Sequence, residues 1–132
     1  MNVTIFFTID SLQTGGAEKS TLDIVRRLPN TIKPVVVCFY ERLDLLEQFQ
    51  KSDVQVKCFQ LKGKYNFKQA RKVFAEYCIA EKPDLIVATL FRAEFISRLV
   101  ANKLNIPIIG TFVNDTYSKF EWQQMNVAMK CK

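Results

Sequence analysis

Apolar and polar segments alternate along the whole chain in a regular order. Short apolar runs predict five β-strands over residues 3–9, 33–40, 54–61, 84–90 and 106–112. Apolar residues at helical spacing predict helices over residues 17–28, 43–51, 67–81, 93–104 and 116–132. Because strands that alternate with helices pair in parallel through right-handed crossovers, the pattern predicts one α/β domain.

The composition of individual segments refines this architecture. The fourth strand is almost entirely apolar, which is typical of a parallel strand covered on both faces, whereas Gln55, Lys57 and Gln60 favour an edge position for the third. In the third helix one apolar stripe is predicted, formed by Phe67, Ala70, Val73, Phe74 and Tyr77. In the first helix one apolar side is predicted, formed by Leu22, Ile24, Val25 and Leu28. The prediction is a Rossmann-like, doubly wound parallel sheet in order 3-2-1-4-5, with helices on both faces.

Residue usage excludes several kinds of chemistry. The 132 residues include no histidine, and the four cysteines show no C-x-x-C spacing, so a zinc site and a histidine-based triad or general base are excluded. Cys38 and Cys58 fall in predicted strands and Cys78 in a predicted helix, which favours buried, reduced thiols and a cytoplasmic protein. No apolar run is long enough to span a membrane. We expect neither a metal nor a cofactor.

Positive charge is concentrated in one segment of a chain whose net charge is +6. Residues 57–72 contain no acidic residue and six basic ones, namely Lys57, Lys62, Lys64, Lys68, Arg71 and Lys72. Such a run is either a solvated surface or an attraction to an anionic partner, for example a lipid headgroup layer at the inner face of a membrane or a phosphorylated substrate. We expect no nucleic acid, because no nucleic-acid-binding motif accompanies the charge.

The segment Thr14-Gly15-Gly16-Ala17-Glu18 joins the first strand to the first helix. Unpaired N–H groups at a helix N-terminus attract phosphate or another anion, and glycines allow close approach of a ligand. The glycines do not form a G-x-G-x-x-G fingerprint, and Glu18 replaces the glycine that a P-loop requires before Lys-Ser. A tight strand-to-helix turn is the alternative explanation of the two glycines.

Topology selects the same place independently. In a sheet of order 3-2-1-4-5, ligands bind in the crevice between the carboxyl ends of strands one and four. We therefore expect Gly15, Gly16 and Ala17 to form a phosphate-binding loop. The other candidate residues of the cleft are Asp10, Lys64, Phe91, Arg92, Asn114 and Asp115. Arg92 is the candidate guanidinium for the anion, and pairing with Glu94 or Glu121 is its alternative role.

Three segments carry a family resemblance, namely residues 15–28, Lys82-Pro83-Asp84 with the strand after it, and residues 106–112. In this order they resemble the first loop and helix, strand four and strand five of the N-terminal domain of family 4 (group 1) glycosyltransferases, which are retaining enzymes of the two-domain GT-B fold. The resemblance extends along the whole chain, but only as the first of two domains.

The resemblance implies an acceptor-binding domain for a glycan or a lipid-linked acceptor. The nucleotide-sugar donor would be a substrate, bound mostly by a C-terminal domain with an E-x7-E motif that this chain lacks, so the chain alone would be inactive. Gly15 and Gly16 would face the donor diphosphate. The family often has a histidine after strand five, where this chain has Val113 or Asn114. Asn114 and Asp115 either bind a hydroxyl or form a turn.

A function of another class remains open. The chain could be a free-standing Rossmann-like or flavodoxin-like domain that binds a small phosphorylated ligand. A second domain carrying E-x7-E in the parent reading frame would distinguish the glycosyltransferase from this alternative.

Overall fold

The sheet predicted from the sequence is present with the predicted strand order. A computed structural model describes residues 2–63 and 66–111, in which five parallel strands form one sheet in the order β3-β2-β1-β4-β5. In chain order the elements are β1 Val3–Ile9, α1 Gly16–Val25, β2 Ile32–Tyr40, α2 Leu46–Lys51, β3 Gln55–Leu61, α3 Phe67–Glu81, β4 Leu85–Thr89, α4 Phe91–Leu104 and β5 Ile108–Thr111.

The strands separate two hydrophobic clusters, one on each face of the sheet. Alternate residues of a strand point to opposite faces, so Phe6 packs with α3 and α4 whereas Phe7 packs with α1 and α2. Phe6 and Phe74 are fully buried in the first cluster, and Phe49 is fully buried in the second. The predicted coverage of both faces by helices is confirmed, because each helix contributes an apolar stripe to one cluster.

The Lys-Pro-Asp segment has a structural role at the start of β4. Lys82 ends α3 in the left-handed conformation, with φ of 51°. The backbone N–H of Asp84 then donates to the carbonyl of Thr4 at 2.8 Å, and the Asp84 carboxylate accepts the N–H of Thr4 at 2.8 Å. These reciprocal bonds position β4 beside β1, and therefore position the crevice at the opposite ends of the two strands.

Several predicted boundaries were wrong by a few residues. Helix α1 ends at Val25 rather than Leu28, because the N–H of Arg27 closes a tighter last turn on Ile24 and the chain must turn towards β2. Ile24 is 53% exposed, so its predicted place on the apolar side was also wrong. Helix α4 begins at Phe91, two residues earlier than predicted, and β4 and β5 are shorter than predicted. The helix predicted over 116–132 lies outside the described residues.

The position of β3 and the buried face of α3 agree with the sequence pattern. Strand β3 lies at one edge of the sheet, as its polar residues predicted. Ala70 and Phe74 of the α3 stripe are buried, and Phe67, Val73 and Tyr77 pack against the same cluster. Among the described residues, no helix combines the length and the apolar character that crossing a bilayer requires.

Candidate functional site

The crevice lies where the connections from neighbouring strands leave the sheet on opposite faces. Strand β1 is paired with β2 on one side and β4 on the other. After β1 the chain enters α1, which packs on one face, and after β4 it enters α4, which packs on the other. The N-termini of α1 and α4 therefore flank the carboxyl ends of β1 and β4, as the strand order predicted.

The loop before α1 is held in place by the loop that follows β2. The N–H of Leu12 donates to the carbonyl of Arg42 at 2.7 Å, and the N–H of Leu45 donates to the carbonyl of Leu12 at 2.8 Å. The carboxylate of Asp44 accepts the N–H of Thr14 at 3.3 Å and the guanidinium of Arg42 at 2.9 Å. The bond from Arg42 is the main reason that the pKa of Asp44 is lowered. The glycine loop thus starts from a fixed position.

At the N-terminus of α1, the carboxylate of Glu18 from the first turn lies against Gly15. Gly15 has an extended backbone, with φ of −168° and ψ of 171°, and a Cβ there would lie 2.7 Å from Oε1 of Glu18. Glu18 is only 3% exposed, and burial raises its pKa, with the charge of Asp10 adding to the effect. A Cβ on Gly16 would meet no atom of the described residues within 4 Å, so these residues leave the space beside Gly16 open.

The N-terminus of α4 is capped by Asp10, the residue that follows β1. Oδ1 of Asp10 accepts the N–H of Ala93 at 2.6 Å, and Oδ2 accepts Nε of Arg92 at 3.0 Å. The carbonyl of Asp10 also accepts the N–H groups of Phe39 and Tyr40, at 3.1 and 2.9 Å. Burial raises the pKa of Asp10 despite the opposing charge of Arg92. The helix terminus is therefore already occupied by the side chain of Asp10.

Tyr40 extends this cluster towards β2. The guanidinium carbon of Arg92 lies 4.1 Å from the centre of the Tyr40 ring, a distance at which a cation is attracted to an aromatic face. Tyr40 is 5% exposed, and its hydroxyl has no hydrogen-bond partner among the described residues. Burial raises its pKa. Asp10, Arg92 and Tyr40 thus form one contiguous cluster below the crevice.

Polar side chains also lie deeper between α4 and the sheet. The hydroxyls of Thr8 and Ser97 are 2.8 Å apart in the interior. Glu94 is fully buried, and the guanidinium of Arg98 binds its Oε1 at 2.7 and 3.1 Å. A Cβ on Gly110 of β5 would overlap both side chains of this ion pair. These groups fix the position of α4 relative to β1 and β5.

The structure places the predicted site residues in different settings. Gly15, Gly16 and Ala17 flank the crevice, and Asp10 and Arg92 meet in it. The Phe91 ring stacks on Phe95, with centroids 6.3 Å apart, in the first turn of α4 rather than in a loop. Lys64, Asn114 and Asp115 lie outside the described residues.

Of the two alternative partners predicted for Arg92, Glu94 was wrong and Glu121 is not tested. The carboxylate that it binds in the described structure is that of Asp10, whereas Glu94 is bound by Arg98; Glu121 lies outside the described residues. Sequence reasoning did not place Tyr40 or Glu18 in the site. Tyr40 could have been suggested by its place at the end of a buried strand. Glu18 could have been suggested by its place in the first turn of the helix that follows the glycine loop.

Part of the basic segment lines a groove between α3 and α4. The groove has a volume of about 890 Å³ and contains Lys68, Arg71 and Lys72, together with Lys103 from α4. Among the described residues, its apolar lining consists of Ala75, Ile79, Leu99 and Val100, and its one acidic residue is Glu76. Lys57 lies apart from the groove, 5.6 Å from the ring centres of Phe59 and Tyr77. The basic run is therefore divided between two surfaces.

Solved structures with the same fold include a glycosyltransferase, a putative UDP-N-acetylglucosamine 2-epimerase and a protein bound to UDP and glucose. A complex of Anabaena HepE with UDP and glucose has a TM-score of 0.65 at 18% identity, over 81% of this chain and 29% of that one. A glycosyltransferase from Rickettsia africae has a TM-score of 0.63 at 13% identity, over 90% and 33%. A putative UDP-N-acetylglucosamine 2-epimerase from Listeria monocytogenes has a TM-score of 0.63 at 11% identity, over 84% and 31%.

These matches concern only part of each neighbour. The chain spans about a third of the length of the proteins that it resembles. At these low identities, the structural similarity shows a shared Rossmann-like α/β fold alone. No family model matches the sequence, and no curated protein matches it either.

Proposed function

We propose that this chain is the acceptor-side domain of a retaining GT-B glycosyltransferase that uses a nucleotide-sugar donor. The observation that carries the proposal is the open space at Gly16, beside the N-terminus of α1 and at the switch point of the sheet. Backbone N–H groups at such a position suit a diphosphate. The structural neighbours support it, since HepE is solved with UDP and an epimerase from Neisseria meningitidis with UDP-GlcNAc.

In this proposal the glycine loop contributes one side of the donor site. The diphosphate would approach the N–H groups of Gly16 and Ala17, and the carboxylate of Glu18 would move away because it occupies the same helix terminus. Because Asp10 holds Arg92 in place, Arg92 would not move to bind the diphosphate directly. It would instead add positive electrostatic potential to the crevice. The acceptor would bind on the crevice side of α4.

Titration of the chain with UDP tests the site. We expect changes in the backbone amide NMR signals of Gly15, Gly16 and Ala17, and of the first turn of α4. Gly16→Val should weaken binding at least tenfold (about 1.4 kcal/mol) because its side chain fills the open space. Ser20→Val is the matched control, since Ser20 is exposed one turn further along α1.

Three results of the titration separate the alternatives. Changes confined to the glycine loop and α4, lost in Gly16→Val, support the donor site. Equal changes with inorganic phosphate and none with uridine favour a domain for small phosphorylated ligands. Changes elsewhere, or undiminished binding by Gly16→Val, overturn the assignment of the loop.

The chain alone should not transfer sugar. Preorganised groups are needed on both sides of the donor, and this proposal assigns the chain only one side. We expect the purified chain to release no nucleoside diphosphate from a nucleotide sugar. Joining the chain to a second domain that carries the E-x7-E motif should restore this release. Turnover by the chain alone, at the rate of an intact enzyme, would contradict the two-domain proposal.

We also propose that the α3–α4 groove contacts an anionic membrane surface. Its four basic side chains surround an apolar lining in which Ile79 is 60% exposed, a combination that suits lipid headgroups above acyl chains. Arg71→Glu with Lys72→Glu should abolish the salt-sensitive binding to vesicles containing phosphatidylserine. The control is the double variant Lys19→Glu with Lys33→Glu, which changes the net charge by the same amount on other surfaces. It should keep most of the binding to these vesicles. Equal binding to neutral vesicles would contradict the proposal.

A further inference from the structure

Two cysteines face each other across neighbouring strands. Cys38 of β2 and Cys58 of β3 are direct partners in the parallel ladder, and their Sγ atoms are 3.0 Å apart. This separation is only about 1 Å longer than a disulfide bond of roughly 2.05 Å. Both are free thiols, and both belong to the hydrophobic cluster beneath α1 and α2.

The backbone is already suited to a disulfide at this position. Neighbouring strands lie roughly 4.8 Å apart, and directly paired residues project to the same face of the sheet. Disulfides span Cα separations of roughly 4.4–6.8 Å, so a bond between the two sulfurs requires side-chain rotation rather than strand movement.

The two thiols differ in access and in acidity. Cys58 is half-buried at the edge strand, whereas Cys38 is fully buried. The thiol of Cys38 donates a hydrogen bond to Cys58, which lowers the pKa of Cys58, and the charge of Lys57 lowers it further. The same hydrogen bond raises the pKa of Cys38, and burial adds to this effect. The accessible sulfur is therefore the better nucleophile, with a protonated partner beside it.

We propose that Cys38 and Cys58 are a reversible dithiol–disulfide pair that responds to hydrogen peroxide. The Cys58 thiolate attacks one peroxide oxygen, the O–O bond breaks, and the departing hydroxide takes a proton to leave as water. The Cys38 thiol then loses its proton, its sulfur bonds to the sulfur of Cys58 sulfenic acid, and the S–O bond breaks with release of a second water. Two thiols are oxidised and one peroxide is reduced.

The disulfide would fix the end of β3 that leads to the crevice side of the sheet. After Cys58 the ladder is irregular, because Tyr40 pairs with Leu61 and Gln60 adopts the left-handed conformation with φ of 55°. A bond at Cys58 ties β3 to β2 at the last regular pair before this bulge. Oxidation therefore restricts the segment that carries Leu61 into the following loop.

Mass spectrometry of the full chain tests the proposal. With Cys131→Ser as background, peroxide should lower the intact mass by about 2 Da, and dithiothreitol should reverse the loss. Tryptic digestion under non-reducing conditions should join peptide 28–42 to peptide 58–62, which carry the two cysteines. The measurement on this background does not depend on the folding of further variants.

Variants at two cysteines identify the pair. Cys58→Ser should abolish the loss of mass. Cys78→Ser should preserve it, because burial raises the pKa of the Cys78 thiol to about 12. A cross-link that includes Cys78, or addition of oxygen to Cys58 while Cys38 stays a free thiol, would overturn the proposal.

Discussion

The two helix N-termini at the crevice differ in the carboxylate that lies against them. At α4 it belongs to Asp10, which follows β1, accepts the N–H of Ala93 and is itself bound by Arg92. At α1 it belongs to Glu18 of the helix itself, and the described residues leave open space beside Gly16. A carboxylate that a guanidinium binds is held in place, whereas a carboxylate on the helix itself can rotate away from a ligand. We therefore expect α4 to be the fixed side of the crevice and α1 the exchangeable side.

Removal of Asp10 should have the largest effect on stability. Asp10→Ala removes the buried acceptor for Ala93 and the ion pair with Arg92, so we expect a loss of about 3 kcal/mol in the free energy of unfolding. This corresponds to a decrease of roughly 10 °C in Tm. Asp10→Asn, which keeps an acceptor, should lose less.

Asp23→Ala is the control for this measurement. Asp23 pairs with Arg26 on the exposed surface, where an ion pair adds little. If Asp10→Ala unfolds at the same denaturant concentration as the wild type and Asp23→Ala, the cap at α4 does not stabilise the fold as argued.

Removal of Arg92 should cost less than removal of Asp10. Arg92→Ala loses the ion pair and the contact with the Tyr40 ring, but Asp10 keeps its bond to Ala93. We expect a loss of about 1.5 kcal/mol in chemical denaturation, because the side chain of Arg92 is 24% exposed. A loss larger than that of Asp10→Ala would reverse the order of the two roles.

The two glycines should respond differently to alanine. Gly15→Ala places Cβ against the Glu18 carboxylate, which must move, so we expect a loss of about 0.5–1 kcal/mol. Gly16→Ala meets open space in the first turn of α1 and should stabilise the chain by about 0.5 kcal/mol. Thermal unfolding of both variants checks the difference, and equal effects would contradict it.

The smallest expected effect is a pH dependence at Glu18. Its pKa is raised in the folded chain, so the folded state holds this proton to higher pH than the unfolded state. The contribution of Glu18 to stability therefore falls as pH rises from its ordinary value of 4.5 through the raised folded value. Unfolding of the wild type and of Glu18→Gln from pH 4 to 7 should show the wild type losing stability relative to the variant. A constant difference would contradict the burial effect.

The sequence predicted the sheet and the crevice because both follow from the alternation of strand and helix segments along the chain. Strand order and the covered faces are set by which segments are apolar throughout, and the crevice follows from the order of the strands. The sequence also indicated Asp10 as a crevice residue. Its capping of α4 joins residues 83 positions apart, and no local pattern carries that information.

The remaining differences have equally specific physical causes. Helix α1 stops at Val25 because its last turn tightens, although Leu28 continues the apolar spacing. Glu18 is buried although carboxylates are usually exposed, because the missing Cβ of Gly15 leaves room for it. Both effects depend on three-dimensional packing and not on residue type.

The contact of Gly110 with the buried pair Glu94–Arg98 has a consequence for sequence variation. Any side chain at position 110 would displace this pair, and a carboxylate at position 94 would remain buried without its guanidinium. The three positions should therefore change together, so that homologues with a larger residue at 110 have also replaced Glu94. Counting such joint replacements in related sequences would reveal whether the triad constrained the divergence of this fold.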